Sequence, residues 1–218
     1  MAKKKTIKDS DIISMYMDYV LQNNEEPNSI YQFAKANSFT EGEFYLHYPS
    51  FNAVEASIYN AFFQNTIKTL NKSKDYQSFN ARNKLLSFYY TFFENLTANR
   101  SYVMYSLHKN KNTLKGLKTL SKLKRSFSHF IESIDIETID IPQKQVQQIQ
   151  KKIVKESAWL QLLFTMKFWM EDTSISFEKT DVFIEKSVNT SFDVKNITPV
   201  KSVMDFGKFL FKEKMHNN

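Results

Sequence analysis

Apolar side chains recur at helical spacing through most of this chain. One example lies between Asp11 and Asn23, where apolar residues follow the i, i+3, i+4, i+7 and i+8 pattern of a single helix face. Ser50 is placed to cap a longer periodic run that ends near Asn71. The 218 residues include only three glycines and four prolines, so helix-breaking residues are scarce. The pattern predicts an all-α fold in which short polar connections join the helices.

The same periodicity predicts further helices in the rest of the chain. Residues 84–96 and the second part of 144–170 are apolar on nearly every side, which is typical of buried helices. Polar connections are expected at 71–80 and 133–143. The further predicted helices are Lys84–Leu96, Ser101–His108, Lys109–Arg125, Lys144–Met170, Phe177–Val188 and a last one within Pro199–Lys214.

Two short capped helices are predicted within residues 30–49. Ser29 precedes the first helix and has Gln32 three residues later, while Thr40 and Glu43 repeat that spacing at the second helix. Only three residues separate the two helices. Such a helix-turn-helix presents its second helix to a DNA major groove while the first helix supports it.

A set of residues in and after the two helices follows a known family pattern: Ala34, Lys35, Ala36, Thr40, Gly42, Phe44, Tyr45, His47, Tyr48, Pro49 and Ser50. With these residues the stretch resembles the helix-turn-helix of the TetR/AcrR transcriptional regulators. The resemblance implies a TetR-like fold with a helix-turn-helix head at 9–50 and a helical ligand-binding and dimerisation body at 51–214. It also implies DNA binding through Ser29, Thr40, Glu41, Glu43, Tyr45 and His47.

The head departs from the family pattern in its charge and at its turn. Ser38 occupies a turn position that is usually glycine, Glu41 lies in the recognition helix, and Phe51 replaces a frequent phosphate-contacting lysine. Residues 9–50 carry one lysine and seven acidic residues, which gives 1 − 7 = −6. Because cations make most phosphate contacts, these departures weaken the DNA-binding interpretation.

Composition narrows the remaining function classes. The net charge is +7. The chain has no cysteine, which excludes disulfide bonds and thiolate chemistry. It has no glycine-rich phosphate loop, catalytic motif or metal-ligand spacing, so neither an enzyme, a cofactor nor a metal site is expected. No apolar run approaches the ~18 residues of a membrane span, and a cytoplasmic location is expected.

The body is expected to bind a small apolar ligand. In the resembled family the short helix that corresponds to residues 101–108 lines the effector pocket, which makes Tyr105 and His108 candidates. Aromatic residues of this kind are more often core than ligand contacts. The predicted pocket is bounded by Phe92, Tyr105, His108, Trp159 and Phe164.

The resemblance also implies a homodimer. In the family the last two long helices of each subunit form the interface, and here they correspond to 144–170 and 177–188. These helices carry more apolar surface than one small body is expected to cover. We therefore predict that two copies of the chain associate through them.

The segment 109–125 carries six lysines and one arginine and no acidic residue. It is predicted as a basic amphipathic helix, which suits an anionic membrane surface or an acidic partner, although a solvated charged face is the commoner explanation. Two functions therefore stay open. The first is a dimeric, ligand-responsive, DNA-binding regulator, and the second is a protein of the same fold that has lost DNA binding and holds a lipid or isoprenoid at a membrane.

Overall fold

The computed structural model describes residues 6–109, 118–136 and 144–193. Within these ranges the chain forms ten α-helices, one short 3₁₀ turn and no strand, so the predicted all-α class is confirmed. The helices are α1 (Asp9–Asn23), α2 (Ile30–Ala36), α3 (Glu41–Tyr45), α4 (Phe51–Leu70), α5 (Lys74–Ser78), α6 (Ala81–Ala98), α7 (Arg100–Lys109), α8 (Ser121–Ser133), α9 (Lys144–Glu171) and α10 (Glu178–Asp193).

The first three helices pack around a cluster of aromatic rings. Phe33 of α2 and Phe44 of α3 are buried and meet edge to face, with ring centroids 6.3 Å apart. Phe51, at the start of α4, lies 5.5 Å from both of these rings and stacks on Tyr16 of α1 at 5.4 Å. Edge-to-face and offset pairs favour this packing beyond simple burial. The cluster fixes the head to the first turn of α4.

α4 is the central helix of the described structure. Its Ser50 cap accepts a hydrogen bond from the Ala53 amide, as its position in the sequence predicts. The helix packs against α1 on the head side and against α6 and α8 on the body side. Because α4 is buried on several faces, it joins head and body through one continuous apolar core.

The body is closed by α9 and α10, which are linked by a turn that two polar residues organise. Arg100 donates to the carbonyl oxygens of Trp169 and Met170, both at 3.0 Å, and its guanidinium lies 4.4 Å from the Trp169 ring. Asp172 accepts hydrogen bonds from the start of α10. Phe168 and Phe183 stack across the pair of helices at 4.6 Å.

Two of the predicted elements differ from the structure. The predicted connection 71–80 contains the short helix α5, which buries Tyr76. The basic segment 109–125 is not one uninterrupted helix, because Lys109 is the last residue of α7 and Leu120 has turn geometry before α8 begins. The predicted tail helix and most of the predicted connection 133–143 lie outside the described residues.

Candidate nucleic-acid interface

Helix α3, the predicted recognition helix, is held by the predicted capping box. The Glu43 amide donates to the Thr40 hydroxyl at 3.2 Å, and the Glu43 carboxylate accepts from the Thr40 amide and hydroxyl at 2.7 and 2.8 Å. These reciprocal bonds satisfy donors that a five-residue helix would otherwise leave free. Glu43 and Thr40 therefore have a structural function at this helix end.

Gly42, Tyr45 and Leu46 of the head form an exposed face, in which Tyr45 also meets the ring of Phe44 edge to face at 5.8 Å. Tyr45 and Leu46 are exposed by 52% and 81%. Gly42 has an ordinary backbone conformation, and a Cβ built on it meets nothing within 4 Å. A glycine inside a helix costs about 0.5–1 kcal/mol relative to alanine, and neither packing nor backbone geometry requires one here. The face of Gly42, Tyr45 and Leu46 is therefore open to the close approach of a partner.

The other predicted DNA-binding residues surround this face. Ser29 caps α2 by accepting a hydrogen bond from the Gln32 amide at 3.1 Å. The reciprocal bond from the Ser29 amide to the Gln32 side chain, which the predicted capping box of α2 requires, is not formed. Glu41 is half-buried in the first turn of α3. His47 contacts the Asp9 carboxylate through its Nδ1, which ties the segment after α3 to the start of α1.

The resembled family usually has glycine in the turn between α2 and α3, and the backbone of this turn explains why. Ser38 has a φ of 61°, in the left-handed region that favours glycine. The end of α2 is stabilised nearby by the Asn37 side chain, which donates to the Phe33 carbonyl at 2.8 Å. The chain accepts a strained serine at the position where the resembled family usually has glycine.

A buried polar cluster connects α1, α4 and α7. The Tyr16 hydroxyl lies 3.1 Å from the Glu55 carboxylate and 3.3 Å from that of Glu26, and Lys109 pairs with Glu26. Burial, with Glu26 as a second cause, raises the pKa of Glu55 to about 7 despite the opposing effects of Lys109 and Tyr16. Burial also raises the pKa of Tyr102, with Glu55 contributing. The cluster joins the head to the body through hydrogen bonds as well as packing.

The five residues of the predicted ligand pocket lie in different environments. Phe92 is fully buried and stacks on Phe88, and Trp159 is buried beside Phe127, so both belong to the core. Tyr105 is half-buried and His108 is exposed on α7. The fifth residue, Phe164, lines a groove of the described structure that none of the other four residues lines.

Phe164 instead lines an apolar groove of about 860 Å³ between α9 and α10. Side chains of Ile153, Leu160 and Phe183 also line this groove. Ile149, Ile153, Leu160 and Phe164 are all more than half exposed and follow one side of α9. We call these four residues the α9 stripe. It is an apolar surface that the described part of the chain leaves uncovered.

The described part of the basic segment lies beside the head. Lys122 Nζ donates to the Ser57 hydroxyl at 2.7 Å and lies 6.0 Å from the Tyr48 ring, at the junction of head and α4. The apolar side of α8 is buried in the body, with Leu123 and Phe127 fully covered. These side chains are therefore not free to enter a lipid surface.

Within the described ranges, none of the helices is long and apolar enough to cross a membrane. The same ranges contain no group of three or more potential metal-binding side chains of histidine, cysteine, aspartate or glutamate.

Three structurally important residues were not singled out from the sequence. Glu55 interrupts an apolar stripe of α4 as a single acid, and that break in the pattern was the available signal. Arg100 and Asp172 stand in predicted helix connections, where polar residues are ordinary. Their contacts depend on segments far away in the chain or on the geometry of the turn.

A comparison with known families covers mainly the body. Residues 84–210, more than half of the chain, match the family model described as Tetracyclin repressor-like, C-terminal domain. No match was found among curated proteins. The match begins in α6 and continues beyond α10, so it is independent of the head motif at residues 30–49. The chain therefore belongs to the family of tetracyclin repressor-like proteins.

Proposed function

We propose that this protein is a dimeric transcriptional regulator that binds DNA through α3. The observation that carries the proposal is the exposed face of Gly42, Tyr45 and Leu46 on a short, firmly capped helix. A small residue one turn before two exposed larger ones allows a backbone to approach a duplex closely, and the aromatic hydroxyl is suited to a phosphate oxygen. The head thus provides shape and hydrogen-bond donors at this surface.

The proposed roles of the other head residues follow from their positions. Ser29 and Thr40 cap the amino ends of α2 and α3, so we assign them to fixing how these two helices are presented to the DNA backbone. Glu41 is suited to accept a hydrogen bond from a cytosine amino group, so we assign it to base recognition. His47, beside Asp9, is assigned to positioning the segment after α3.

A homodimer is the second part of the proposal. The α9 stripe, the apolar groove beside it and the exposed Val182 of α10 form a surface that suits a second copy of the same helices. Two heads held in this way would contact successive half-sites, whose spacing is about one helical turn of DNA.

Response to a small apolar ligand completes the proposal and rests on family membership. The site formed by Phe92, Tyr105, His108, Trp159 and Phe164 stays a prediction. The cluster of Glu55, Tyr16 and Lys109 supports a coupling between body and head, because it spans α1, α4 and α7. A ligand that moves α7 would change contacts that hold the head.

DNA binding is tested with Tyr45→Ala. Duplexes selected from a random-sequence pool by the wild-type protein serve as probes, and affinity is measured by fluorescence anisotropy at several salt concentrations. We expect Tyr45→Ala to weaken binding to all duplexes by about tenfold, corresponding to one lost phosphate contact of about 1–1.5 kcal/mol. Glu41→Lys should strengthen binding to unselected duplexes and alter sequence preference.

The matched control is Tyr90→Ala, which removes an exposed tyrosine of α6 away from the head. It should leave DNA affinity unchanged. Failure of the wild-type protein to bind any duplex even at low salt would remove the proposed function, whereas equal losses for Tyr45→Ala and Tyr90→Ala would remove the assignment of the α3 face.

A further inference from the structure

We propose that Lys118 and Lys122, at the head-facing end of α8, contact the DNA backbone beside α3 and supply cations that the head itself lacks. This inference rests on the proposed DNA-binding function and extends the binding surface from the head to the body. The chemical group recognised is the phosphate of duplex DNA.

The position of these lysines follows from the register of α8 on α4. Lys122 donates to Ser57, and four residues later Ser126 donates to Asn60 at 2.6 Å. Both contacts advance along the two helices in the same direction, so α8 runs parallel to α4, away from the head. The first residues of α8 are consequently its closest to the head. Lys118 is exposed and precedes the helix by three residues, on the far side of the turn at Leu120.

A chain of aromatic contacts connects Lys122 to the recognition helix. Its Nζ lies 6.0 Å from the Tyr48 ring, and that ring lies 6.2 Å from the ring of Phe44 in α3. The Tyr48 ring therefore lies between this ammonium group and Phe44 of α3. A flexible lysine stem can extend from this place toward a phosphate that flanks a duplex bound at α3.

The head and the first part of α4 are poor in cations. Residues 9–50 contain Lys35 against seven acidic residues, and α4 has no lysine or arginine before Lys68. Phe51, in the first turn of α4, is fixed in the aromatic cluster of the head. Since phosphate neutralisation supplies most non-specific affinity, a DNA-binding head of this charge requires cations from another part of the molecule.

The charges at this end of α8 are not explained by the stability of the helix. Cations in a first helical turn oppose the helix dipole, yet the first turn of α8 contains Lys122 and Lys124 and no acid, and Arg125 follows directly. Lys124 forms an ion pair with Glu156 at 2.8 Å. Lys118, Lys122 and Arg125 are exposed and form no ion pair with any described residue. Their charge is available to an anionic partner.

The structure favours DNA over a lipid surface as that partner. A basic amphipathic helix binds a membrane by inserting its apolar side below the headgroups. Here that side, including Leu123, Phe127 and Phe130, is buried: it packs against α4 and α9, and the rings of Phe127 and Phe130 contact Phe88 of α6. The basic end of α8 also lies next to the recognition helix, where a bound duplex would place its phosphates.

The test is the double variant Lys118→Gln with Lys122→Gln in the full chain. Binding to a selected duplex is measured by anisotropy across a salt series. Loss of two phosphate contacts should reduce the slope of log affinity against log salt by about two and weaken binding at low salt about tenfold or more. The matched control, Lys151→Gln with Lys152→Gln on exposed positions of α9, should leave the slope unchanged.

Circular dichroism and thermal melting establish that both double variants are folded. An unchanged slope for Lys118→Gln with Lys122→Gln, while Tyr45→Ala still weakens binding, would overturn this inference and leave the proposed function intact. Absence of wild-type DNA binding would remove both. Vesicles of phosphatidylserine and phosphatidylcholine are tested in parallel, and lysine-dependent vesicle binding without a change in the DNA slope would assign the patch to a membrane instead.

Discussion

At the scale of single residues, Glu55 is unusual because it is an acidic residue buried on the apolar side of α4. Its carboxyl is buried in the centre of the molecule, where Tyr16 and Glu26 lie on the head side and Tyr59, Tyr102 and Lys109 on the body side. Replacement of a buried acid is usually destabilising only when it leaves partners unpaired. The amide of glutamine retains an acceptor for the Tyr16 hydroxyl, so Glu55→Gln tests the charge alone.

The expected effect of Glu55→Gln depends on pH. Because the folded-state pKa of Glu55 is raised from 4.5 to about 7, the folded protein binds an extra proton between these values, and its stability falls as pH rises through them. Relative to wild type, the variant should gain roughly 1–3 kcal/mol in unfolding free energy between pH 5 and pH 8. Urea unfolding at both pH values measures this gain.

Glu94→Gln is the control, since Glu94 is exposed on α6. The difference in unfolding free energy between Glu94→Gln and wild type should be the same at pH 5 and at pH 8. If Glu55→Gln also behaves in this way, the carboxyl of Glu55 is already ionised at pH 5 in the folded protein.

At the scale of elements, the turn between α9 and α10 depends on Asp172. One carboxylate oxygen accepts from the Ser174 amide and hydroxyl at 2.8 and 2.7 Å, and the other accepts from the Thr180 amide and hydroxyl at 2.9 and 2.7 Å. Burial by itself would raise the pKa of Asp172, but these four hydrogen bonds outweigh burial and lower the pKa to about 2. The turn fixes where α10 begins.

We expect Asp172→Asn to lower the unfolding free energy at pH 7 by roughly 1–3 kcal/mol, because the amide nitrogen faces two donors in place of an acceptor. The stabilising effect of the wild-type carboxylate is present above pH 4 and is lost as pH falls toward 2, so the difference between the proteins should shrink in acid. Urea unfolding at pH 7 and pH 3 measures both effects.

The control is Asp75→Asn, at an exposed position of α5, which should change the unfolding free energy by less than about 0.5 kcal/mol at either pH. A variant equal to wild type at pH 7 would contradict this account of the turn.

At the scale of the whole molecule, the α9 stripe is a large apolar surface that the described residues of one chain leave uncovered. Four large apolar residues face outward along α9 beside a groove of about 860 Å³. Exposed apolar patches of this kind mark interaction surfaces in soluble proteins. Association of two copies would bury the stripe and set the separation of the two heads.

The double variant Leu160→Glu with Phe164→Glu should convert the proposed dimer to a folded monomer, because carboxylates at these positions would be buried and unpaired in the interface. Sedimentation velocity at micromolar concentration measures the change. The control Gln148→Glu with Lys151→Glu, at exposed polar positions of the same helix, should remain dimeric. A wild-type protein that sediments as a monomer would contradict the proposed assembly.

Much of this fold could be predicted from local patterns. Helical periodicity located α1, α4, α6, α7, α9 and α10 to within a few residues at most of their ends, because the spacing of apolar residues is a local property. The capping box of Thr40 and Glu43 was likewise predictable, since both partners lie within one turn. The short helix α5 was missed because its lysine, aspartate, glutamine and serine are typical of a connection.

Tertiary structure alone decided how distant segments meet. The sequence by itself determined that residues 109–125 are basic, but only the parallel packing of α8 on α4 places Lys122 beside the head. It determined that α9 is rich in apolar residues, whereas the neighbouring helices decide that Trp159 is buried and Phe164 is exposed. The sequence also contained Glu55, and its contact with Tyr16, 39 residues earlier, arises only when α1 packs on α4. Periodicity specifies which face of a helix is apolar, but the partner that covers that face is chosen by packing among all the helices at once.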